Sequence, residues 1–220
     1  MKVALVLNGD EPGPDELKLL DACEAIVAAD GAAEKLLRSD RPPTVIVGDL
    51  DSLGPDAYKW ADALNIPMER HRADKDETDG ELALQKALQM GAKSLLILGA
   101  HGGRSAMFLA NLKLLRRAHE KGLEAVINGH GESIRFVSAG GELALVGRTN
   151  SILNILAVDG PAKVTVSGTA FDNADLELDP RSARGVSNRI TSDGARVKVL
   201  QGTVVVVVER KPKSKNYEIV

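Results

Sequence analysis

The chain has 220 residues, 44% hydrophobic and 27% charged, ordinary globular proportions at a length that suits one large domain or two modest ones. Its formal net charge of −3 excludes a general nucleic-acid binder, because phosphate-backbone binding rests on a clustered positive field. Cys23 is the single cysteine, which excludes an intrachain disulfide and a cysteine-rich metal centre and fits a reducing, cytoplasmic compartment.

Short apolar runs alternate with longer helical patterns up to about residue 128, the mark of repeated βαβ units and a mostly parallel sheet. Strands are predicted over residues 3–7, 25–29, 44–47, 68–71, 94–98 and 125–128. Asn8-Gly9-Asp10 stops the first run too early for a signal-peptide core. No later run approaches the ~20 apolar residues that span a bilayer, so a soluble chain without a membrane partner is expected. Thr78-Asp79-Gly80-Glu81 reads as a capping box opening a helix to about Met90, with Leu84 and Leu88 on one face and Gly91 closing it. A second helix is predicted over 105–121 with Leu109, Leu112 and Leu115 inside.

After Gly129-His130-Gly131 the period changes. Short β-rich stretches at 143–146, 152–157, 163–166, 197–200 and 203–208 follow, with no convincing helix, as in a sandwich or barrel. The expected organisation is an α/β domain over 1–130 and an all-β sandwich over 131–220. Residues 204–208 are all valine, so that strand is expected to be covered on both faces, internally or by a partner subunit.

In open α/β sheets ligands collect beyond the carboxyl ends of the strands. There the sequence places Asn8-Gly9-Asp10, Asp30-Gly31, Gly48-Asp49-Leu50-Asp51-Ser52, Asp74-Lys75-Asp76-Glu77-Thr78-Asp79 and Gly102-Gly103-Arg104. In an extended segment Asp49 and Asp51 point the same way and can face one cation, and oxygen ligands of this kind suit Mg²⁺. Asp-x-Asp-Ser can equally make a turn before the next helix, and Asp79 can simply favour a helix N-terminus. Asp76 and Asp79 would crowd like charges on the rim unless a cation were bound there. Lys75 and Arg104 are the natural phosphate counter-ions, and Gly102 and Gly103 allow close backbone approach to a ligand. Of the four histidines only His101 falls on this rim, and no catalytic role is expected for it.

These motifs resemble thiamine pyrophosphokinases over nearly the whole chain. Ala29-Asp30-Gly31, Gly48-Asp49-Leu50-Asp51-Ser52, Asp74-Lys75-Asp76-Glu77-Thr78-Asp79 with Glu81-Leu82-Ala83-Leu84, and Gly102-Gly103-Arg104 with Leu109-Ala110-Asn111 come in the family's order. The resemblance implies an α/β nucleotide-binding domain followed by a β-sandwich that helps form a thiamine site in a homodimer. It implies an ATP-dependent pyrophosphotransferase that makes AMP and thiamine diphosphate. Asp49, Asp51 and Asp79 would then hold Mg²⁺, with Asp76 a further ligand or the acceptor of the hydroxyl proton. Asn8, Gly9, Asp30, Gly31, Lys75, Thr78, Gly102, Gly103 and Arg104 would contact ATP as co-substrate, and Phe171, Ser187 and Asn188 the thiamine. Two positions depart from the family. Ser105-Ala106-Met107 stands where x-Asp-His is common, and Ala32 where a second glycine is common. A pyrophosphokinase for another heterocyclic alcohol and a non-catalytic nucleotide or vitamin binder are the alternative readings.

Overall fold

A computed structural model describes residues 1–72, 74 and 76–210. They form two units, one ending at His130 and one beginning at Gly131. In the first unit β1 (Lys2–Val6), β2 (Ala25–Ala29), β3 (Val45–Gly48), β4 (Met68–Arg70), β5 (Ser94–Leu98) and β6 (Glu124–Gly129) lie in the order β6-β5-β1-β2-β3-β4. All the pairings between them are parallel, with Val3 opposite both Ala25 and Leu95. The chain therefore winds outward from β1 in one direction through β4 and in the other through β5 and β6. That reversal puts a topological switch point beside β1.

Four of the five residues of β1 are buried without alternation, as a parallel strand covered on both faces requires. Ala4, Val6, Ala28, Ile46, Leu96 and Leu98 point into one cluster with Ala32, Ala33 and Leu36 of α2 (Ala32–Arg38) and Ala61 of α3 (Pro55–Ala63). A short α1 (Pro14–Leu17) runs on into a 3₁₀ turn that buries Leu20. Helix α4 (Asp79–Gln89) packs against β1, β2 and β3, and α5 (Ser105–Glu120) against β6 and α4. The predicted capping box is formed: Thr78 Oγ1 accepts from the Glu81 amide at 3.2 Å, and the Thr78 amide donates to Glu81 Oε2 at 2.9 Å. Along α5, Leu115 is buried as predicted, but Leu109 is 58% exposed and Leu112 only half-buried. The buried stripe runs through Leu114, Leu115 and Ala118, because this helix turns its C-terminal half towards the sheet.

In the second unit the described residues contain strands and no helix. β7 (Glu132–Ser138), β14 (Thr203–Glu209), β9 (Ile152–Ala157) and β12 (Asn188–Arg189) pair antiparallel in the order β12-β9-β14-β7. β8 (Glu142–Ala144), β13 (Arg196–Gln201), β10 (Ala162–Ser167) and β11 (Asn173–Leu178) make a second antiparallel sheet, β11-β10-β13-β8. Leu153, Ile155, Val204, Val206 and Val208 of the first sheet share one core with Val164, Val166, Val197 and Val199 of the second. Two sheets facing one core across alternating residues is sandwich packing.

Within this chain the valine run of β14 is covered fully on one face and partly on the other. Val204, Val206 and Val208 are buried while Val205 and Val207 are only half-buried. The period-two pleat decides which valines enter the core even where hydrophobicity does not alternate. Strand β8 ends at Ala144, short of the predicted 143–146, and leaves Val146 72% exposed. β7, β11 and β12 carry no clear apolar run. β11 is exposed along most of its length, as a polar edge strand can be. No helix among the described residues is long and apolar enough to cross a membrane.

Candidate functional site

The loops that follow β1, β2, β3 and β5 and the start of α4 line one cleft of about 660 Å³ at the switch point. Asn8, Gly9, Asp30, Asp49, Thr78, Asp79, Gly102, Gly103 and Arg104 all border it, together with Asp10, Ser52, Met107 and Asn111.

Three carboxylates meet here. One oxygen each from Asp30, Asp49 and Asp79 lies within 4.8 Å of the others. Asp30 follows β2 with φ +43, a left-handed conformation that Asp tolerates better than most residues. Its amide donates to the Val47 carbonyl at 2.9 Å, which fixes the side chain against the end of β3. It is only 3% exposed. Oδ2 accepts from the Ser52 amide at 3.3 Å, while the buried Oδ1 has no hydrogen-bond partner among the described residues. Burial raises the Asp30 carboxyl above the usual carboxylate range, and the charges of Asp79 and Asp49 add to this against the Ser52 amide.

Gly48 makes the approach possible. A Cβ there would stand 2.8 Å from Asp30 Cβ and 3.3 Å from Asp79 Oδ1. A buried carboxylate with an unsatisfied oxygen facing two further carboxylates is a donor set for a hard divalent cation, because a cation relieves both the repulsion and the missing hydrogen bond. The residues fit Mg²⁺.

Asp51 is not in this triad. Leu50 has φ +66, so the segment is not extended at that point and the two-residue spacing no longer aims both carboxylates at one point. The Asp51 amide instead donates to Asp49 Oδ1 at 3.1 Å, and its carboxylate accepts from Ser52 Oγ at 3.0 Å. Asp51 lines a separate cavity of about 570 Å³ with Asp49, Arg70, His71, Arg72 and Asp74. Asp76 is exposed and lines neither cavity. Lys75 lies outside the described residues. Thr78 spends its hydroxyl on the α4 cap.

The glycines of the rim are explained chiefly by the protein's own packing. A Cβ on Gly31 would stand 2.5 Å from Asn8 Nδ2, and one on Gly9 2.0 Å from the His101 carbonyl oxygen. At Gly102 it would stand 1.9 Å from Asp10 Oδ1, so the predicted closeness there is to Asp10. Arg104 is the exposed N-cap of α5 and projects no side-chain cap bond.

Two residues that line the cleft, Asp10 and Asn111, and two that contact its β1 loop, His130 and Lys35, were not singled out from sequence. The Asp10 carboxylate meets His130 Nε2 at 2.6 Å. His130 stacks on the buried His101, and His101 on Phe108, each with ring centroids 4.8 Å apart. Asn111 donates from Nδ2 to the Ala100 carbonyl at 2.8 Å. Lys35 of α2 is 9% exposed and donates from Nζ to the Gly9 carbonyl. Asp10 and Asn111 stood inside quoted motifs. His130 and Lys35 had no local signal, because they reach the site by tertiary packing.

In the second unit Phe171, Ser187 and Asn188 come together. Asn188 Oδ1 accepts from the Phe171 amide at 3.2 Å, and Nδ2 donates to the Phe171 carbonyl at 3.1 Å and to Thr169 Oγ1 at 3.0 Å. Ser187 has φ +61 and donates its amide to Asn154 Oδ1 at 2.9 Å. Phe171 is left 74% exposed, an aromatic side chain held out by a hydrogen-bonded loop.

Residues 17–127 match the family model for the catalytic domain of thiamin pyrophosphokinase. The chain is 30% identical over 102 residues to a thiamine pyrophosphokinase from Bacillus subtilis, a stretch covering 46% of this chain and 48% of that relative, so the alignment spans about half of it. The fold superposes on a crystal structure of the thiamine pyrophosphokinase from Bacillus subtilis with a TM-score of 0.86, at 19% identity, over 96% of this chain and 100% of that one. Against the yeast enzyme the TM-score is 0.76 at 20% identity, over 94% and 86% of the two chains. With the family model matching half of its length, at the very strands and loops that build the carboxylate rim, the chain belongs to the thiamin pyrophosphokinase family.

Proposed function

We propose that this chain transfers the β,γ-pyrophosphoryl group of ATP to the hydroxyl of thiamine, giving AMP and thiamine diphosphate. The observation that carries the reading is the Asp30–Asp49–Asp79 triad at the switch point, with its orphaned buried oxygen. The acceptor hydroxyl gives up its proton to solvent as its oxygen bonds to the β-phosphorus, the bond from that phosphorus to the oxygen bridging the α- and β-phosphoryl groups breaks, and AMP leaves with the electron pair. A reaction of this type is catalysed mostly by positioning and charge neutralisation. A bound Mg²⁺ supplies that neutralisation on the phosphate oxygens. Asp30, Asp49 and Asp79 would hold it, in place of the Asp49–Asp51–Asp79 set that the family resemblance implied. Arg104, which lines the same cleft, would bind phosphate through its planar fork. Asn8, Gly9, Gly102 and Gly103 would shape the nucleotide wall, with Gly31 packed against Asn8.

The exposed Phe171, its backbone held by Asn188, is suited to stack a flat heteroaromatic cation, since an aromatic face attracts one. We assign the acceptor to that loop, and the chain to a cytoplasmic homodimer. Incubation with ATP, Mg²⁺ and thiamine should yield AMP and thiamine diphosphate in equal amounts. ADP or free phosphate as the sole nucleotide-derived product would refute the assignment. Turnover of a pyrimidine or thiazole alcohol but not of thiamine would refute the acceptor alone. Light scattering at twice the mass of the chain checks the dimer.

A further inference from the structure

Among the described residues Lys35 is the one lysine or arginine in the buried class. Its ammonium donates to the carbonyl of Gly9, in the loop that follows β1. Two amides of the loop are committed elsewhere. The Gly9 amide donates to the Gly99 carbonyl at 2.9 Å and the Asp10 amide to the His101 carbonyl at 2.6 Å. The loop is thus stitched to the end of β5 along one side and to α2, through Lys35, on the other. Burial, with the nearby Arg38 charge, lowers the Lys35 pKa, and the charges of Glu11 and Asp10 oppose this only in part.

A buried ammonium is costly, and an apolar side chain of similar volume at such a place is often neutral or stabilising. Fold stability therefore gives little reason for a lysine here. Position gives one. Asn8, Gly9 and Asp10 form a wall of the cleft that also contains Asp30, Asp49 and Asp79, whereas Lys35 does not line it. Without a donor from α2, the Gly9 carbonyl would be free to turn towards the cleft and add another negative dipole to a site that must accept a polyphosphate.

We propose that Lys35 is a positioning residue for nucleotide binding: it holds the Gly9 carbonyl inward and fixes the Asn8–Gly9–Asp10 wall without touching the ligand. The inference rests on the reading that this cleft takes ATP. The test uses the full chain with Lys35→Met, and with Lys35→Arg as the variant that keeps a charged donor. Loss of one hydrogen bond with its partner left unpaired should raise the KM for ATP about tenfold in Lys35→Met. Its kcat and its KM for thiamine should stay within about twofold, as they do when ATP binding is lost equally in the ground and transition states. Amide exchange at Gly9 and Asp10 in the ligand-free protein should quicken in the same variant, and Lys35→Arg should recover both properties in large part.

Unchanged exchange and unchanged KM in Lys35→Met would overturn the proposal. So would a parallel loss in kcat, both KM values and melting temperature, which marks a merely structural lysine. Asn8→Ala serves as the control for the cleft itself. If it raises the KM for ATP while Lys35→Met does not, the positioning role fails and the cleft reading stands. If neither raises it although exchange quickens, the placement of ATP is what fails.

Discussion

Asp30→Asn separates the metal-site reading from an ordinary structural role for the same residue, because the two predict opposite signs. Asp30 shares a space with Asp49 and Asp79, one carboxylate oxygen of each within 4.8 Å of the others. At an effective dielectric of 20, two unit charges at that separation repel by about 3.5 kcal/mol. Asp49 and Asp79 are half-buried, so solvent screening brings each pair down to about 1 kcal/mol. Asparagine keeps an oxygen to accept the Ser52 amide. Metal-free Asp30→Asn should therefore be more stable than the parent by about 1–2 kcal/mol, or roughly 3–6 °C in melting temperature for a chain of this size.

With Mg²⁺ the order reverses. At a free concentration of 100 Kd the ion stabilises the parent by about 2.7 kcal/mol, and the variant should lose most of that gain together with about 10²–10³ in kcat, the cost of removing an electrostatic element of this kind. Thermal melts of both proteins in EDTA and across a Mg²⁺ titration read both quantities. A variant that is less stable than the parent in EDTA, or that gains as much from Mg²⁺, would refute the reasoning.

The same carboxylate sets a pH dependence. Its pKa is raised in the folded chain, so between about pH 4, the unfolded value, and that raised value the folded state binds more protons than the unfolded. Its contribution is fully present below the unfolded pKa and is lost as pH rises through the folded one. In EDTA the stability advantage of Asp30→Asn over the parent should thus grow with pH, read as urea midpoints at several pH values. An advantage that shrinks with pH would contradict it. Asp49→Asn should lower kcat by about 10² or more, and Asp51→Asn, whose carboxylate accepts from Ser52 Oγ at 3.0 Å outside the triad, by less than about tenfold; equal effects in steady-state assays would restore the spacing argument. Phe171→Ala, at a side chain 74% exposed, should leave the melting temperature within about 2 °C, since exposed substitutions stay within ±0.5 kcal/mol. It should raise the KM for thiamine and not that for ATP.

Much of this molecule is legible along the chain because the physics behind it is local. Unbroken apolar runs such as 25–29 and 94–98 must be strands covered on both faces, and their bounds are those observed. Thr78 and Glu81 announce the start of α4 through groups only three residues apart. The rule that loops at strand ends carry ligands, applied to the order of elements alone, picked out Asn8, Asp30, Asp49, Asp79 and Arg104, which line one cleft.

What only the tertiary structure decided is which of those groups face one another. Asp49 and Asp51 look equivalent in sequence, yet the left-handed backbone at Leu50 separates them, and a leucine gives no sign in its residue type of such a dihedral. Asp30 enters the triad from a different strand because Gly48 leaves room for it. Lys35 and His130 reach the β1 loop across sequence gaps of 26 and 120 residues, over which periodicity and capping carry no information. Pattern along a chain reports which face of an element is buried, whereas a site is made by contacts between elements, and those exist only once the sheet order has brought the loops together.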